Sequence, residues 1–215
     1  MQIELRVYLT LDRLERQFAA YLSSPTGGRG YVPLEGMSSL ILEIAPGLAI
    51  ERVTDTALKA APDLEPGLLV VERQFGVLEI HADQGADLAR AGEAILASLG
   101  LRAEDQLKPE ILVMDVVEDI TDRHAVIINR NKQASMVLPG ESVLLLELVP
   151  ALFASYAANE AEKAVPGIRL VDVRMIGATG RLYLSGSREE VHAAAEHIKL
   201  KLAKIPGRGV RPQKS

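Results

Sequence analysis

The stretch G-M-S-S-L-I-L-E-I-A-P at residues 36–46 returns as G-E-S-V-L-L-L-E-L-V-P at residues 140–150. The offset between the two stretches is 104 residues, and it persists further along, where Pro62 is matched by Pro166. A period of about a hundred residues is a whole domain, too long for the repeating unit of a solenoid. The sequence therefore predicts two copies of one fold, and a duplicated chain can supply near-equivalent subunits to a closed ring.

The composition is that of an ordinary folded protein. Of the 215 residues, 48% are hydrophobic and 25% are charged, which suits two small cores. The absence of cysteine excludes disulfides, thiolate catalysis and Cys-ligated metals, and it is consistent with a reducing cytoplasm. A formal net charge of −5 gives no electrostatic reason to expect a nucleic-acid partner.

Neither a secretion signal nor a membrane span is expected. The N-terminal M-Q-I-E-L-R-V has no basic segment followed by an apolar one. The most apolar stretch, residues 143–158, is interrupted by Glu147 and Pro150 and falls short of the ~20 apolar residues that cross a bilayer. We expect a soluble protein without membrane partners.

The two copies share one order of elements: strand, short helix, glycine-bearing loop, buried strand, helix, strand pair and helix. In the first long helix, Ile50, Val53, Ala57 and Ala61 lie on one face at helical spacing, and a proline follows the helix in each copy. This order predicts an α+β fold in which each copy forms a small mixed or antiparallel sheet with flanking helices. The expected boundaries are 1–104 for the first domain, 105–205 for the second and 206–215 for a disordered tail.

The copies differ between their paired strands. Matching Arg73 and Gly76 with Arg174 and Gly177 changes the offset to 101, so the second loop is expected to carry three extra residues. In this alignment Glu72 lies opposite Val173 and is therefore a carboxylate of the first copy alone.

Three chains around one axis would bring three copies of Glu72 and Arg73 together. Partly solvated ion pairs are worth about 0–1 kcal/mol each, so a gate made of them could both close and open. The simpler interpretation is that the two residues face solvent on an ordinary hairpin.

Several stretches together resemble the tandem-domain shell proteins of bacterial microcompartments, specifically the permuted, double-stacking trimers of carboxysomes and related organelles. They cover both copies, and the first-copy stretches are I-L-E-I-A-P-G at 41–47, T-D-T-A-L-K-A-A at 54–61 and V-V-E-R-Q-F-G-V-L-E-I-H at 70–81. The second-copy stretches are A-V-I-I-N-R at 125–130, L-P-G-E-S-V-L-L-L-E at 138–147, Y-A-A-N-E-A-E-K-A at 156–164 and V-R-M-I-G-A-T-G-R-L at 173–182.

The resemblance implies two circularly permuted shell domains and a pseudo-hexameric homotrimer of about 70 kDa, from chains of 23.2 kDa. It implies a place in a microcompartment shell within the cytoplasm, beside hexameric and pentameric shell proteins, with trimers able to stack in pairs. It also implies a central pore for metabolites, gated by Glu72 and Arg73. The second-copy loop, comprising Gly177, Ala178, Thr179 and Gly180, is expected to line that pore.

Lys59 and Lys163 end the long helix of each copy. The resemblance places a lysine here at the edge of the tile, where it contacts a neighbouring tile. A helix C-terminal lysine can also simply interact with the helix dipole, which is worth some 0.3–1 kcal/mol. Asn129 and Arg130 match the I-N-R stretch, and no role for them follows from the sequence.

The sequence predicts no catalytic, cofactor or metal site. The four histidines, His81, His124, His192 and His197, show no ligand spacing, and the last two would lie about 140° apart on one helix. The loop S-P-T-G-G-R-G at 24–30 lacks the G-K-[ST] of a phosphate-binding loop. The alternative to a shell protein is a regulatory α+β oligomer that binds a metabolite between its subunits.

Overall fold

The structure, a computed structural model, describes residues 3–24 and 30–209 and divides into two units. The first runs to Lys108 and includes residues 206–209, and the second spans 109–205. The unit boundary thus falls four residues after the expected one. Residues 25–29 of the glycine-rich loop lie outside the described part of the chain.

The first unit is a four-stranded antiparallel sheet in the order β1-β2-β4-β3. A short 3₁₀ turn, Gly47–Ala49, leads into its first long helix. Its elements are β1 (Glu4–Leu11), α1 (Arg16–Leu22), β2 (Ser38–Ala45), α2 (Ile50–Ala60), β3 (Glu65–Glu72), β4 (Phe75–Ala82) and α3 (Gly85–Leu99).

The second unit repeats this topology, with the strand order β5-β6-β8-β7. Its elements are β5 (Glu110–Val117), α4 (Asp122–Asn131), β6 (Ser142–Val149), α5 (Phe153–Ala164), β7 (Arg169–Arg174), β8 (Gly180–Gly186) and α6 (Arg188–Ala203). The α+β class and the repeated element order are therefore confirmed.

The long helices form where the apolar stripes predicted them. Ile50, Val53, Ala57 and Ala61 are all buried and pack with the apolar side chains of β2 and β4 in one core cluster. Small alanines on this stripe let the helix approach the sheet closely. The helix ends at Ala60 because Pro62 cannot continue it.

The last helix has a complete N-terminal cap. The Ser187 hydroxyl accepts a hydrogen bond from the Glu190 backbone N–H at 3.3 Å, and the Glu190 carboxylate accepts one from the Ser187 N–H at 2.8 Å. This reciprocal capping box satisfies two donors that the helix leaves free and sets where α6 begins.

Residues 206–209 were expected to belong to a disordered tail, and for this segment the expectation was wrong. Arg208 forms a parallel bridge with Leu107: its N–H donates to the carbonyl of Gln106 at 2.8 Å, and its own carbonyl accepts from the Lys108 N–H at 2.8 Å. Its guanidinium donates to Glu4 at 2.7 Å. A local composition of glycine, proline and basic residues could not reveal these long-range partners. Residues 210–215 lie outside the described residues.

Within the described ranges, no helix combines the length and apolarity needed to cross a membrane.

Candidate functional site

The first hairpin carries the charged pair at its tip. Glu72 ends β3 and pairs with Phe75, so only Arg73 and Gln74 form the turn. Arg73 has φ of 54°, in the left-handed region that non-glycine residues rarely adopt. Its side chain is 88% exposed and that of Glu72 is 47% exposed, and Arg73 Nε lies 3.6 Å from Glu72 Oε1. Ion pairs this exposed are worth little, so the pair is easily broken and remade.

The second hairpin shows that the expected three-residue insertion was wrong. Gly76 and Gly180 are the equivalent glycines, because a Cβ at either one would lie 2.2 Å from a backbone oxygen, that of Gly47 or of Ala151. The offset is therefore 104 throughout the hairpin, and the second hairpin contains no inserted residues. The incorrect alignment matched Arg73 with Arg174, which have similar neighbours in the sequence but do not occupy the same position in the fold.

In the corrected alignment Glu72 corresponds to Ile176 and Arg73 to Gly177. Gly177 has φ of 121°, so both loops place a positive φ at the same position. The charged pair still occurs in the first copy alone. The two strands of the second hairpin end their pairing earlier, at Arg174 and Arg181, which leaves residues 175–179 as a wider loop.

A carboxylate of the central strand anchors the second loop. Thr179 Oγ1 donates to Glu147 Oε1 at 2.7 Å, and Arg181 Nε donates to the same oxygen at 3.0 Å. These two hydrogen bonds hold the pKa of Glu147 below its usual value. Of the four predicted loop residues, Thr179 is thus tied to the sheet and Gly180 packs against Ala151.

Sequence analysis missed the corresponding carboxylate of the first unit. Glu43 occupies in β2 the position of Glu147 in β6, and Arg6 Nε donates to its Oε1 at 2.6 Å. Burial raises the pKa of Glu43, and the adjacent Arg6 only partly opposes this. The available signal was the single glutamate that recurs at an offset of 104 in two otherwise apolar strands.

Both predicted edge lysines are exposed in the last turn of equivalent helices. Lys59 Nζ forms an ion pair with Asp55 Oδ2 at 2.6 Å, one turn earlier on α2. Lys163 lies on α5 near Glu160. Burial raises the pKa of Glu160, but hydrogen bonds from Lys201 and His197 outweigh burial and hold this pKa below its usual value. The positive charge of Lys163 lowers it further. The structure therefore places the two lysines alike but gives them different neighbours.

Several other polar residues singled out in the sequence have structural partners. Asn129 forms two hydrogen bonds with the backbone of Val137, at 2.8 and 2.9 Å, and so holds the loop before β6 to α4. His81 is buried between Glu79 and Glu65, whereas His192 contacts Glu118. In the part of the chain that the structure describes, no three His, Asp or Glu residues are grouped as metal ligands.

Known proteins match both copies of this chain. The model of the CsoS1D N-terminal domain family matches residues 5–105. The carboxysome shell protein CcmP of Synechococcus elongatus is 40% identical over 208 residues, covering 97% of this chain and 96% of that protein. The carboxysome shell protein CsoS1D of Hydrogenovibrio crunogenus is 41% identical over 194 residues, covering 90% of this chain and 93% of that protein.

Two solved structures share the whole fold. The double-ringed trimeric shell protein MSM0271 of the RMM microcompartment superposes with a TM-score of 0.93 at 58% identity, covering 97% of this chain and 100% of that one. The fused permuted hexameric shell protein MSM0275 of the same microcompartment superposes with a TM-score of 0.90 at 48% identity, covering 97% of this chain and 100% of that one. The chain therefore belongs to the tandem-domain, permuted shell proteins of bacterial microcompartments.

Proposed function

We propose that three copies of this chain form a pseudo-hexameric tile of a microcompartment shell, with a central pore gated by Glu72 and Arg73. The observation that carries the gate is the exposed first hairpin, whose tip presents an ion pair at 3.6 Å with little around it. The 58% identity to a double-ringed trimeric shell protein supports the ring and its stacking in pairs.

The gate works by exchange of ion-pair partners. Within one chain, Arg73 can pair with its own Glu72, as it does here. Around a three-fold axis, the same guanidinium can reach the Glu72 of the next chain and close the aperture. Because exposed pairs of either kind are worth only about 0–1 kcal/mol, the two arrangements are close in free energy and can interconvert.

The second hairpin lines the pore without gating it. Its loop is uncharged between Arg174 and Arg181, and Thr179 ties it to Glu147. Residues 177–180 therefore form the fixed part of the wall, and the mobile charges come from the first hairpin. We propose that metabolites pass through this opening and that the chain has no catalytic role.

The tile edge contains Lys59 and Lys163, each exposed at the end of its helix. Their repetition at one structural position suits an edge that recurs around the tile. Through it the trimer would contact hexameric shell proteins, while pentameric shell proteins complete the shell.

The alternative, a regulator that binds a metabolite, has one feature in its favour. A cavity of about 720 Å³ in the first unit is lined by residues that include Glu4, Gln74 and Arg208. However, Glu4 and Arg208 pair with each other at 2.7 Å, so the positive charge that could bind an anionic metabolite is already paired. The cavity therefore gives the regulatory alternative weak support.

The gate is tested by the double substitution Glu72→Ala with Arg73→Ala. We expect cryo-electron microscopy to show a trimer with a wider central constriction, because no charged tip remains to close it. The matched control is Ile176→Ala at the equivalent position of the second hairpin, which should leave the constriction unchanged. A closed constriction in the double variant would place the gate elsewhere, and a monomer or an even-numbered ring would refute the tile.

A further inference from the structure

Each unit contains a glutamate at the same point of a central strand, close to its hairpin. Glu43 lies between Val7 and Val77 in the first sheet, and Glu147 lies between Val113 and Arg181 in the second. Each is the only charged residue of its strand. A buried carboxylate is costly unless it is paired, so Glu43, whose side chain is 1% exposed, needs a partner, whereas the Glu147 side chain is 29% exposed and lies closer to solvent.

In the first unit the partner comes from the edge strand. Arg6 occupies the bulge between Leu5 and Val7, and its Nε donates to Glu43 Oε1 at 2.6 Å. The guanidinium carbon of Arg6 also lies 3.9 Å from the centre of the Phe75 ring, a cation–π contact. Phe75 directly follows the hairpin turn and pairs with Glu72. Contacts therefore run without a break from Glu43 through Arg6 and Phe75 to the base of the charged tip.

In the second unit the partner comes from the hairpin itself. Leu112 occupies the equivalent bulge, so no arginine is available from β5. Glu147 instead accepts hydrogen bonds from Thr179 and Arg181. Both units thus connect the strand glutamate to the hairpin, by different residues.

The ion pair between Arg6 and Glu43 in the first unit is not a favourable way to gain stability. The Glu43 side chain is 1% exposed and that of Arg6 is 17% exposed, and among the described residues Glu43 Oε2 has no hydrogen-bond partner. Buried ion pairs with an unsatisfied oxygen often contribute less than apolar residues of the same size. A positioning role accounts for the pair better than a stabilising one.

We propose that Glu43 and Arg6 are positioning residues of the first hairpin, which hold Phe75 and thereby set the direction of Glu72 and Arg73. This inference rests on the proposed function of that hairpin as the pore gate. The positioning is sensitive to protons, because a neutral Glu43 no longer holds the guanidinium.

A second acceptor for Arg6 is already in place. Arg6 Nη1 lies 3.8 Å from Glu4 Oε2, and Glu4 also pairs with Arg208. Arg6 and Glu4 are the charged groups that act on Glu43, and the residues paired with it from the neighbouring strands, Val7 and Val77, are apolar. When Glu43 gains a proton, Arg6 can turn toward Glu4 and leave the Phe75 ring.

The absence of cysteine from the chain allows a sharp test. The variant Gln74→Cys carries a single trifluoromethyl label at the hairpin tip of the full-length protein, and ¹⁹F NMR reports its conformations. With Glu43 intact, we expect one resonance at neutral pH and a second that grows as the pH falls toward the ordinary glutamate value of 4.5. With Glu43→Gln, the second resonance should be present at every pH, its population ratio raised at least about tenfold at neutral pH.

The matched control is Glu147→Gln, which should leave the Gln74 label unchanged and instead affect a label placed through Ala178→Cys. A second variant, Phe75→Leu, keeps the buried ion pair but removes the ring. It should show the second resonance of the label at position 74 at neutral pH, even if Glu43→Gln fails to fold. Identical spectra for Phe75→Leu and the parent, or an equal response of the Gln74 label to Glu147→Gln, would overturn the proposal. The label reports hairpin order whether or not the pore constriction widens, so failure here is separate from failure of the proposed gate.

Discussion

Gly76 and Gly180 occupy the same position in the two units, each against the backbone of the segment that enters the long helix. A Cβ added to Gly76 would lie 2.2 Å from the Gly47 oxygen, and one added to Gly180 would lie 2.2 Å from the Ala151 oxygen. Neither glycine has a positive φ, so close approach of two backbones, not conformational freedom, requires them.

Alanine at either position should therefore destabilise its unit. The neighbouring atoms are backbone, which cannot move aside cheaply, and we expect a loss of about 1–3 kcal/mol for Gly76→Ala and for Gly180→Ala. Thermal unfolding followed by circular dichroism measures the effect. Gly85→Ala is the control, because its Cβ would make ordinary contact with Ser38 and alanine favours the helix. Equal melting temperatures for all three variants would show that the close approach is not real.

The two strand glutamates predict opposite dependences of stability on pH. The pKa of Glu147 is lowered, so its stabilising contribution is present above the ordinary value of 4.5 and is lost as the pH falls through the lowered pKa. The pKa of Glu43 is raised, so its ionised form opposes folding at high pH, and this penalty is relieved as the pH falls through the raised pKa.

The measurement is the melting temperature of the parent relative to each glutamine variant between about pH 3 and 8. The advantage of the parent over Glu147→Gln should shrink as the pH falls, and the parent should gain relative to Glu43→Gln over the same change. If both differences in melting temperature changed with pH in the same direction, the environments assigned to Glu43 and Glu147 would be wrong.

The helix-end lysines should matter for tiling and not for folding. In the double variant Lys59→Ala with Lys163→Ala, we expect trimers of unchanged mass that no longer form extended sheets by electron microscopy. Lys59 pairs with Asp55 at 2.6 Å on the helix surface, a contact worth only about 0.3–0.5 kcal/mol, so the melting temperature should change little. Lys199→Ala, which removes an exposed lysine of α6, is the control. Normal sheets from the double variant would exclude these lysines from the edge.

Arg208 should anchor the segment after α6 to the first unit. Its side chain donates to Glu4, to the Leu5 carbonyl and to the Asp105 carbonyl, at 2.7, 3.2 and 2.9 Å. Because the side chain is 38% exposed, we expect Arg208→Ala to cost only about 1 kcal/mol, with faster proteolysis after Pro206. Arg102→Ala, which removes an 80% exposed partner of Asp105, should neither lower stability measurably nor speed proteolysis. Unchanged proteolysis of Arg208→Ala would mean that the backbone bridge to Leu107 suffices.

What could be predicted from the sequence was local and periodic. The strand around Glu43 and its repeat around Glu147 were predicted because continuous apolar runs bounded by glycine and proline form buried strands. The stripe beginning at Ile50 predicted a helix for the same kind of reason. The resemblance then supplied the family and the role of the charged tip, and Glu72 was noticed because the sequence alignment placed the uncharged Val173 opposite it.

The sequence by itself determined that one fold occurs twice and that a single copy carries the charged pair, because periodicity and residue type are properties of short stretches. Only the tertiary structure decided that Gly76 corresponds to Gly180, that Arg208 returns to the first unit, and that Arg6 is the partner of Glu43. Each of these depends on atoms brought together from distant parts of the chain, and the backbone contacts and burial that select them leave no periodic trace in the sequence.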